Sequence, residues 1–257
     1  MSVSDPLEAE FDTVAAWTEQ AVAELGAEYA IPAACRGSGS PADLAWLAEG
    51  LDLHGDARFL DAGSGLGGPA AWLAEHLGDA WTGRALLAEP MTHAAAAGRR
   101  LFGLPSVAAW SEELPVADAA VDAAWCLGVL CTTTAKRDLL AALHRALRPG
   151  GRLGLLVLVA VSDPLPEVPE GNDFPTVESL HADLAASGFR VDAEIDAATL
   201  PDAPDDWDAK ADRVEEVVTR DHRDHPAWRE ADDQQTVMGR LIGGRHVVTR
   251  LLRTTRV

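Results

Sequence analysis

Residues 58–75 form the stretch that most constrains what this 257-residue chain can fold into. A short apolar run ends at Asp61, a glycine-dense turn follows, and a helix-forming segment comes next. Gly63, Gly65 and Gly67 lack a Cβ atom where the backbone bends most, so a ligand can approach the main chain there. The helix that follows directs free N–H groups into the same space. The stretch predicts a strand–turn–helix unit with a ligand at its turn; the simpler alternative is a plain strand-to-helix turn.

The identity of that ligand depends on the acid before the turn. Gly63, Gly65 and Gly68 fit the G-x-G-x-x-G spacing of dinucleotide folds, which is a weak signal alone. Asp61 would repel a pyrophosphate but suits the ammonium and sulfonium of S-adenosylmethionine. The run D-A-G-S-G-L-G-G resembles the first motif of the class I S-adenosylmethionine-dependent methyltransferases, whose acid lies beside the methionine part of the cofactor. The cofactor-binding residues that this resemblance implies here are Asp61, Gly63, Ser64, Gly65 and Gly67.

A second motif follows the next predicted strand, Arg84 to Ala88. Glu89 lies 22 residues beyond Gly67, the interval at which a βα unit returns to the same edge of a parallel sheet. An acid there can accept hydrogen bonds from both ribose hydroxyls, and the family has its ribose-binding acid at this position. The alternative is an acid that only precedes a helix N-terminus. The resemblance adds Glu89, Pro90 and Met91 to the cofactor site.

Residues 110–125 resemble the family's next stretch, in which an acid and Leu-Pro precede a strand. The position that usually carries the acid for the adenine amino group is Trp110 here. An indole cannot accept that hydrogen bond, although it can pack on the adenine face, so Trp110 is either an adenine contact or core filler. Ser111, or its backbone, remains available to the ring. The following strand ends in Cys126-Leu127, which the resemblance also assigns to the cofactor site.

The segment Arg145 to Leu153 contains a basic-apolar-basic-Pro-Gly-Gly sequence that is frequent in these methyltransferases and rare in nicotinamide enzymes. It stands before an apolar run, Leu153 to Val161, which is predicted to be a buried central strand. A nicotinamide-dependent oxidoreductase with the same glycine turn is therefore the weaker alternative, and Tyr29, the only tyrosine, leaves no Tyr-x-x-x-Lys pair. A further alternative is a protein of the same fold that binds S-adenosylmethionine without transferring methyl.

No residue is identified as catalytic from the sequence. His222, His225 and His246 are candidates for a general base only by default. Cys126 can be interpreted as a nucleophile, but a small buried thiol is the simpler interpretation. Residues 221–225, D-H-R-D-H, resemble a metal-binding cluster, yet their alternating charges favour a solvated helix end with ion pairs. We therefore predict no metal.

Composition restricts the partners. The formal net charge is −20, with 47% hydrophobic and 24% charged residues. Because nucleic-acid binders need a basic surface, a small-molecule methyl acceptor is expected instead of a nucleic acid. Three cysteines without a C-x-x-C pair favour a reduced compartment, and the apolar run Leu153 to Val161 is too short to span a bilayer. A cytoplasmic protein without a membrane partner is expected, and its oligomeric state stays open.

The predicted fold class is α/β. We expect a Rossmann-like, mostly parallel seven-stranded sheet with an antiparallel last strand, helices on both faces, a helical N-terminal extension and a helical insertion before the last strand. The chain 1–257 is predicted to form one methyltransferase domain. Residues 1–54 make a helical N-terminal cap with a flexible connection at 35–39, residues 55–195 the cofactor-binding core, and residues 196–257 the helical insertion and final strand. In the family, the parts that correspond to the first 54 residues and to the insertion at 196–240 usually shape the acceptor pocket.

Overall fold

A seven-stranded sheet organises the computed structural model, which describes residues 6–162 and 164–257. The strands are β1 Arg58–Ala62, β2 Arg84–Glu89, β3 Ser106–Ala108, β4 Val121–Leu127, β5 Leu147–Ala160, β6 Phe189–Asp196 and β7 Val247–Arg256. Their order is β3-β2-β1-β4-β5-β7-β6. The first five strands run parallel, whereas β7 is antiparallel to both β5 and β6. The predicted fold class is confirmed.

Nine α-helices surround this sheet in the described part of the chain. They are α1 Pro6–Leu25, α2 Ala30–Ala34, α3 Pro41–Leu51, α4 Gly68–Leu77, α5 Thr92–Phe102, α6 Lys136–Ala146, α7 Val177–Ala186, α8 Asp205–His222 and α9 Pro226–Gly243. Local chemistry explains several boundaries. Ser40 and Asp43 form a reciprocal capping box at the start of α3, with Pro41 in the first turn, as residues of these types should. None of the described helices is long and apolar enough to cross a membrane.

The central strands are buried on both faces, as expected of parallel strands covered by helices. Leu60 and Cys126 face the core under α6 and α7. Phe59 and Trp125 face the opposite core, under α3 and α4, and their rings meet edge to face at 5.1 Å. Asp61 lies on this second face by the alternation of side chains along β1. The side chain of Asp61, just before the glycine turn, is therefore directed into the apolar interior.

A third apolar cluster joins four helices from the two ends of the sequence. Trp17 and Ala21 of α1, Ala33 of α2 and Val214 of α8 are buried in it, and Trp228 of α9 packs against it. We call α1, α2, α8 and α9 the four-helix cap. It brings together parts of the N-terminal extension and the helical insertion that are far apart in sequence.

Two differences from the predictions matter. An unpredicted helix, α2, comes directly before the predicted connection at 35–39, which forms a turn, and Cys35 in that turn is buried. The apolar strand predicted from Leu153 begins earlier, at Leu147, because Leu147 pairs with Val121 before the register shifts. The first difference matters for function, because α2 packs against α4 immediately behind the glycine turn.

Candidate functional site

The glycine turn connects β1 to α4 at the carboxyl edge of the sheet. Gly63, Gly65 and Gly67 have φ angles of 73°, 52° and 85°, which L side chains rarely adopt. A Cβ at Gly63 would collide with Val129, whereas a Cβ at Gly65 would meet nothing within 4 Å. The turn is held by the N–H of Gly63, which donates to the carbonyl of Ala88 at 2.8 Å. Its backbone is thus fixed on one side and open at Gly65.

Asp61 is the most buried acid at this turn, with 1% of its surface exposed. Burial raises the pKa of its carboxyl to about 7; the indole of Trp125 partly opposes that rise, and the Glu89 carboxylate adds to it. By distance and angle, neither Oδ2 of Asp61 nor the indole Nε1 of Trp125, which acts on it, has a hydrogen-bond partner among the described residues. A buried carboxylate without a partner costs free energy unless a cation or donor satisfies it.

Ser64, three residues after Asp61, repeats this pattern. It is 3% exposed, and its Oγ also lacks a hydrogen-bond partner in the described part of the chain. Orphaned buried polar atoms are rare in folded proteins, and each requires an explanation. The unpaired carboxylate of Asp61 and the unpaired hydroxyl of Ser64 offer a negative charge and hydrogen-bond acceptors, which are what a cationic ligand with N–H donors needs. The residues present therefore fit the methionine part of S-adenosylmethionine.

Glu89 connects the turn to the next strand. Its Oε2 accepts a hydrogen bond from the N–H of Gly65 at 2.8 Å, and its Oε1 accepts one from the N–H of Met91 at 3.0 Å. Burial raises the pKa of Glu89, although these two hydrogen bonds oppose the rise. Each carboxylate oxygen can accept a second hydrogen bond. Glu89 thus both orients Gly65 and retains capacity for a hydroxyl.

The predicted residues on the adenine side differ in exposure. Trp110 is 46% exposed, whereas Ser111, Cys126 and Leu127 are buried. Trp110 is therefore not a core residue, and the face of its indole ring is accessible. Burial raises the pKa of the Cys126 thiol, and Asp61 adds to the rise. This thiol stays protonated near neutral pH, which disfavours its interpretation as a nucleophile.

A short N-terminal segment closes over the turn. We call residues 30–40, which comprise α2 and the turn after it, the cover. A Cβ on Gly68 would lie only 2.5 Å from the carbonyl carbon of Ala34, and one on Gly128 would lie 3.0 Å from the carbonyl oxygen of Gly37. Asp61 also acts electrostatically on the buried thiol of Cys35. The cover is therefore in close contact with the start of α4 and with the residue that follows β4.

Ion pairs hold the cover to the four-helix cap. The guanidinium of Arg36 lies 3.0 Å from Oδ1 of Asp212 and also pairs with Glu215, both on α8. All three side chains are more than a third exposed, so each pair contributes little free energy alone. Together they hold the Arg36 guanidinium against α8.

The histidines named by default have other contacts. His222 stacks on Trp17 with ring centroids 4.1 Å apart. Nδ1 of His225 accepts from the N–H of Ala227 at the start of α9, and His246 lies near Ser162. In the described ranges, no group of three or more His, Cys, Asp or Glu side chains is placed to hold a metal ion.

Two acidic residues of α1, Asp12 and Glu10, were not predicted from the sequence to lie near the site. Oδ1 of Asp12 accepts hydrogen bonds from the N–H groups of His93 and Ala94, at 2.7 and 3.2 Å. This contact fixes α1 beside the start of α5, close enough for Asp12 to act on the pKa of Glu89. Glu10 is buried with an unpartnered Oε2. No local pattern announces either role, since both depend on helices distant in sequence.

Comparison with known proteins agrees with the motif order. Residues 60–155 match a family model described as a methyltransferase domain. The chain is 32% identical over 117 residues to Methyltransferase GfsG of Streptomyces halstedii, covering 44% of this chain and 42% of that protein. The alignment thus spans less than half the length of this curated relative. A match to a methyltransferase family does not support the nicotinamide alternative.

Solved structures share the fold over most of the chain. The [4+2]-cyclase SpnF superimposes with a TM-score of 0.65 at 21% identity, covering 83% of this chain and 80% of that one. Geranyl diphosphate C-methyltransferase from Streptomyces coelicolor A3(2), solved with S-adenosyl-L-homocysteine, has a TM-score of 0.61 at 16% identity, covering 84% and 76%. The order of the motifs, the family match over residues 60–155 and the shared fold agree, and this part of the chain is similar to the methyltransferase domain of class I S-adenosylmethionine-dependent methyltransferases.

Proposed function

We propose that the protein transfers a methyl group from S-adenosylmethionine to a small-molecule acceptor and releases S-adenosylhomocysteine. One observation carries this proposal: Oδ2 of Asp61 and Oγ of Ser64 are buried and unpartnered, among the described residues, beside the open backbone of Gly65. A cation with hydrogen-bond donors would satisfy both atoms.

Each predicted site residue has a proposed role. Asp61 pairs with the ammonium of the cofactor, and Glu89 accepts from its ribose hydroxyls. Trp110 packs on the adenine through its exposed indole face. The remaining proposed contacts come from the turn and from the strand ends, and they are Gly63, Ser64, Gly65, Gly67, Pro90, Met91, Ser111, Cys126 and Leu127.

The chain's main catalytic task is alignment. When bound, the cofactor supplies a methyl group that its sulfonium already activates. The protein holds the acceptor in line and excludes water, and such positioning supplies on the order of 7–11 kcal/mol. The burial of Asp61, Ser64 and Glu89 provides the dry surroundings that this requires. A general base, typically worth about 10²–10⁴-fold, is needed only for an acceptor that is protonated at working pH.

The acceptor is proposed to be a small molecule bound by the parts outside the core. Residues 1–54 and 196–257 supply the four-helix cap, while residues 55–195 hold the cofactor. The net charge of −20 supports this choice over a nucleic acid. We also propose a cytoplasmic location, which the three reduced, buried cysteines support.

A second candidate function is binding of S-adenosylmethionine without methyl transfer. The similarity to SpnF, which is named as a [4+2]-cyclase, supports keeping it, because a fold does not determine the reaction. The absence of an assigned base at the glycine turn, within the described residues, is compatible with both candidates. Production of S-adenosylhomocysteine in the presence of an acceptor distinguishes them.

Calorimetric titration tests the cofactor assignment. Purified protein is titrated in parallel with S-adenosylhomocysteine, S-adenosylmethionine and NAD, and we expect binding of the first two only. Asp61→Ala and Glu89→Ala should each weaken binding roughly tenfold or more, the usual effect of removing a charged partner, while far-UV circular dichroism stays unchanged. Binding of NAD alone, or unchanged affinity in both variants, would contradict the proposal.

A further inference from the structure

The helix α5 begins without a cap of its own. Its first intrahelical hydrogen bond runs from the N–H of Ala95 to the carbonyl of Met91, so the N–H groups of residues 91–94 need acceptors from elsewhere. Met91, at the N-cap position, offers only a thioether, and the first turn contains no acid. Two carboxylates from outside the helix supply the acceptors. This helix start follows directly after Glu89, at the end of β2.

Asp12 of α1 is the first of these carboxylates. Its Oδ1 accepts the hydrogen bonds from the N–H groups of His93 and Ala94. These are the second and third residues of α5, whose N–H groups an N-cap side chain normally accepts. A negative charge at this end of the helix is also favoured by the helix dipole. Asp12 therefore does from another helix what an N-cap residue does locally.

The second oxygen of Asp12 strengthens this contact. Oδ2 lies 2.7 Å from Nδ1 of His93 and accepts a hydrogen bond from Oγ1 of Thr92 at 3.3 Å. Burial raises the pKa of Asp12, but the hydrogen bonds from His93 and Ala94 outweigh that rise and hold the pKa below its usual value. Asp12 is thus a carboxylate at neutral pH, and both of its oxygens accept hydrogen bonds.

Glu89 is the second carboxylate at this helix start. Its Oε1 accepts from the N–H of Met91, and its Oε2 accepts from the N–H of Gly65 in the glycine turn. Burial raises the pKa of Glu89, and the charge of Asp12 adds to the rise. Residues 91–94 are therefore held between the two carboxylates. One network of hydrogen bonds connects α1, through α5 and Glu89, to the glycine turn.

We propose that Asp12 is a positioning residue of the cofactor site. By capping α5 from α1, it fixes residues 91–94, and through the N–H of Met91 it fixes the carboxylate of Glu89. Docking of α1 and placement of the acid for the ribose hydroxyls are then a single event. This role rests on the proposed function only in that Glu89 binds ribose. The transmission from Asp12 to Glu89 is a property of the protein alone.

The charge of Asp12 and its capping role predict opposite effects. If the charge alone mattered, removing it would relieve the repulsion on Glu89 and favour the ionised acceptor. If the cap matters, removing the acceptor oxygen frees the start of α5. Asp12→Asn removes the charge but keeps a side-chain oxygen, and Asn caps helices about as well as Asp. Asp12→Ala removes both.

Amide hydrogen exchange of the protein without cofactor tests the transmission. In Asp12→Ala, we expect the N–H groups of His93 and Ala94 to exchange about fivefold faster, the usual effect of losing a helix cap. The N–H groups of Met91 and Gly65, which donate to Glu89, should exchange faster with them. Asp12→Asn should keep near wild-type rates at all of these positions.

Glu19→Ala is the matched control. Glu19 pairs with Arg100 further along the same contact between α1 and α5, so its loss weakens the docking of α1 without touching the helix start. Exchange at Met91 and Gly65 should stay at the wild-type rate. Unfolding midpoints of all three variants verify that they remain folded.

Calorimetric titration with S-adenosylhomocysteine and its 2′-deoxy analogue connects this network to ribose. The wild type should lose affinity about tenfold or more when the hydroxyl is missing, the usual effect of losing a hydrogen bond to a charged group. Asp12→Ala should bind S-adenosylhomocysteine more weakly and discriminate less between the two ligands. Asp12→Asn should bind it at least as tightly as the wild type and keep the discrimination.

The outcomes separate this role from the proposed function. Unchanged exchange at Met91 and Gly65 in Asp12→Ala, equal effects of Asp12→Ala and Asp12→Asn, or equally fast exchange there in Glu19→Ala would each overturn the positioning role. Full discrimination between the two ligands in Asp12→Ala would overturn it as well. If the wild type fails to bind S-adenosylhomocysteine, the proposed function is overturned instead, and the exchange rates still decide whether Asp12 positions Glu89.

Discussion

At the scale of single residues, the unusual property of the candidate site is a carboxyl group that is buried away from water. Asp61 is buried without a partner for Oδ2, in the described residues, and its pKa is raised to about 7. Besides burial, Glu89, whose own pKa is raised, adds to this rise, and Trp125 opposes it. Asp61 in turn raises the pKa of the thiols of Cys35 and Cys126. An arriving ammonium would stabilise the ionised form and lower the pKa of Asp61.

Affinity for S-adenosylhomocysteine should therefore depend on pH. Below pH 7 the free Asp61 is mostly protonated, so pairing with the ammonium group of the ligand must release that proton, and affinity should rise from about pH 5.5 to about 7 and then level off. Calorimetry at pH 6 in buffers of different ionisation enthalpy should detect proton release. Asp61→Asn should bind weakly with a flatter profile. A pH-independent affinity in the wild type would contradict this assignment.

The sequence predicted residues whose role is local. Asp61, Gly63, Gly65 and Glu89 stand at fixed intervals around one βα unit, and their positions follow from that unit. Trp110 stayed ambiguous, because its exposure depends on neighbours that no local pattern specifies. Glu10 went unpredicted for the same reason: its burial comes from packing between helices separated by more than 200 residues.

At the scale of elements, the cover is the segment that sequence patterns described least well. α3 was predictable because Ser40, Pro41 and Asp43 carry its cap locally. α2 has only five residues and contains Pro32, so it is too short to display a helical period. It is stabilised by packing on α4 and α8, and its existence is a tertiary effect.

Gly68→Ala tests the contact between the cover and the glycine turn. The added Cβ would lie 2.5 Å from the carbonyl carbon of Ala34, so α2 must move, at a cost of about 1–3 kcal/mol. Gly239→Ala is the matched control, because it lies in α9 with nothing within 4 Å of its Cβ. This second change should stabilise by about 0.5–1 kcal/mol. Urea unfolding measures both, and equal effects would contradict close packing of the cover.

At the scale of the whole molecule, two groups of acids have opposite effects on how the unfolding free energy depends on pH. Glu10 and Asp61 have pKa values raised to about 7, so their ionisation on going from about pH 4 to 7 disfavours the folded state. Asp12, Asp122 and Asp192 have lowered pKa values because they accept hydrogen bonds, so their contribution is present at neutral pH and is lost in acid.

The unfolding free energy should therefore be greatest at about pH 4. It should fall below that pH as the paired aspartates protonate, and fall between about pH 4 and 7 because Glu10 and Asp61 are ionised in the unfolded chain but still protonated in the folded protein. Glu10→Gln should reduce the loss between pH 5 and 7 and leave the acid limb unchanged. Urea titrations at each pH measure this. A wild-type stability that rises steadily from pH 5 to 7 would contradict the burial of these acids.

The overall topology was predictable because four motifs occur in the order that the fold requires, and each reports a βα unit. The four-helix cap was not predictable as an assembly. Its helices come from residues 6–34 and 205–243, and their apolar stripes specify burial without specifying which helix covers which.

The position of the cover has a consequence for the pace of turnover. Gly68 and Gly128 bring it into contact on two sides, so replacement of spent cofactor would require this segment to swing away and return in every cycle. Such motions take microseconds to milliseconds and are damped by solvent friction. A viscogen such as glycerol should then slow turnover although the chemical step is indifferent to viscosity. Movement of the cover, rather than the methyl-transfer step, would then limit the rate of turnover.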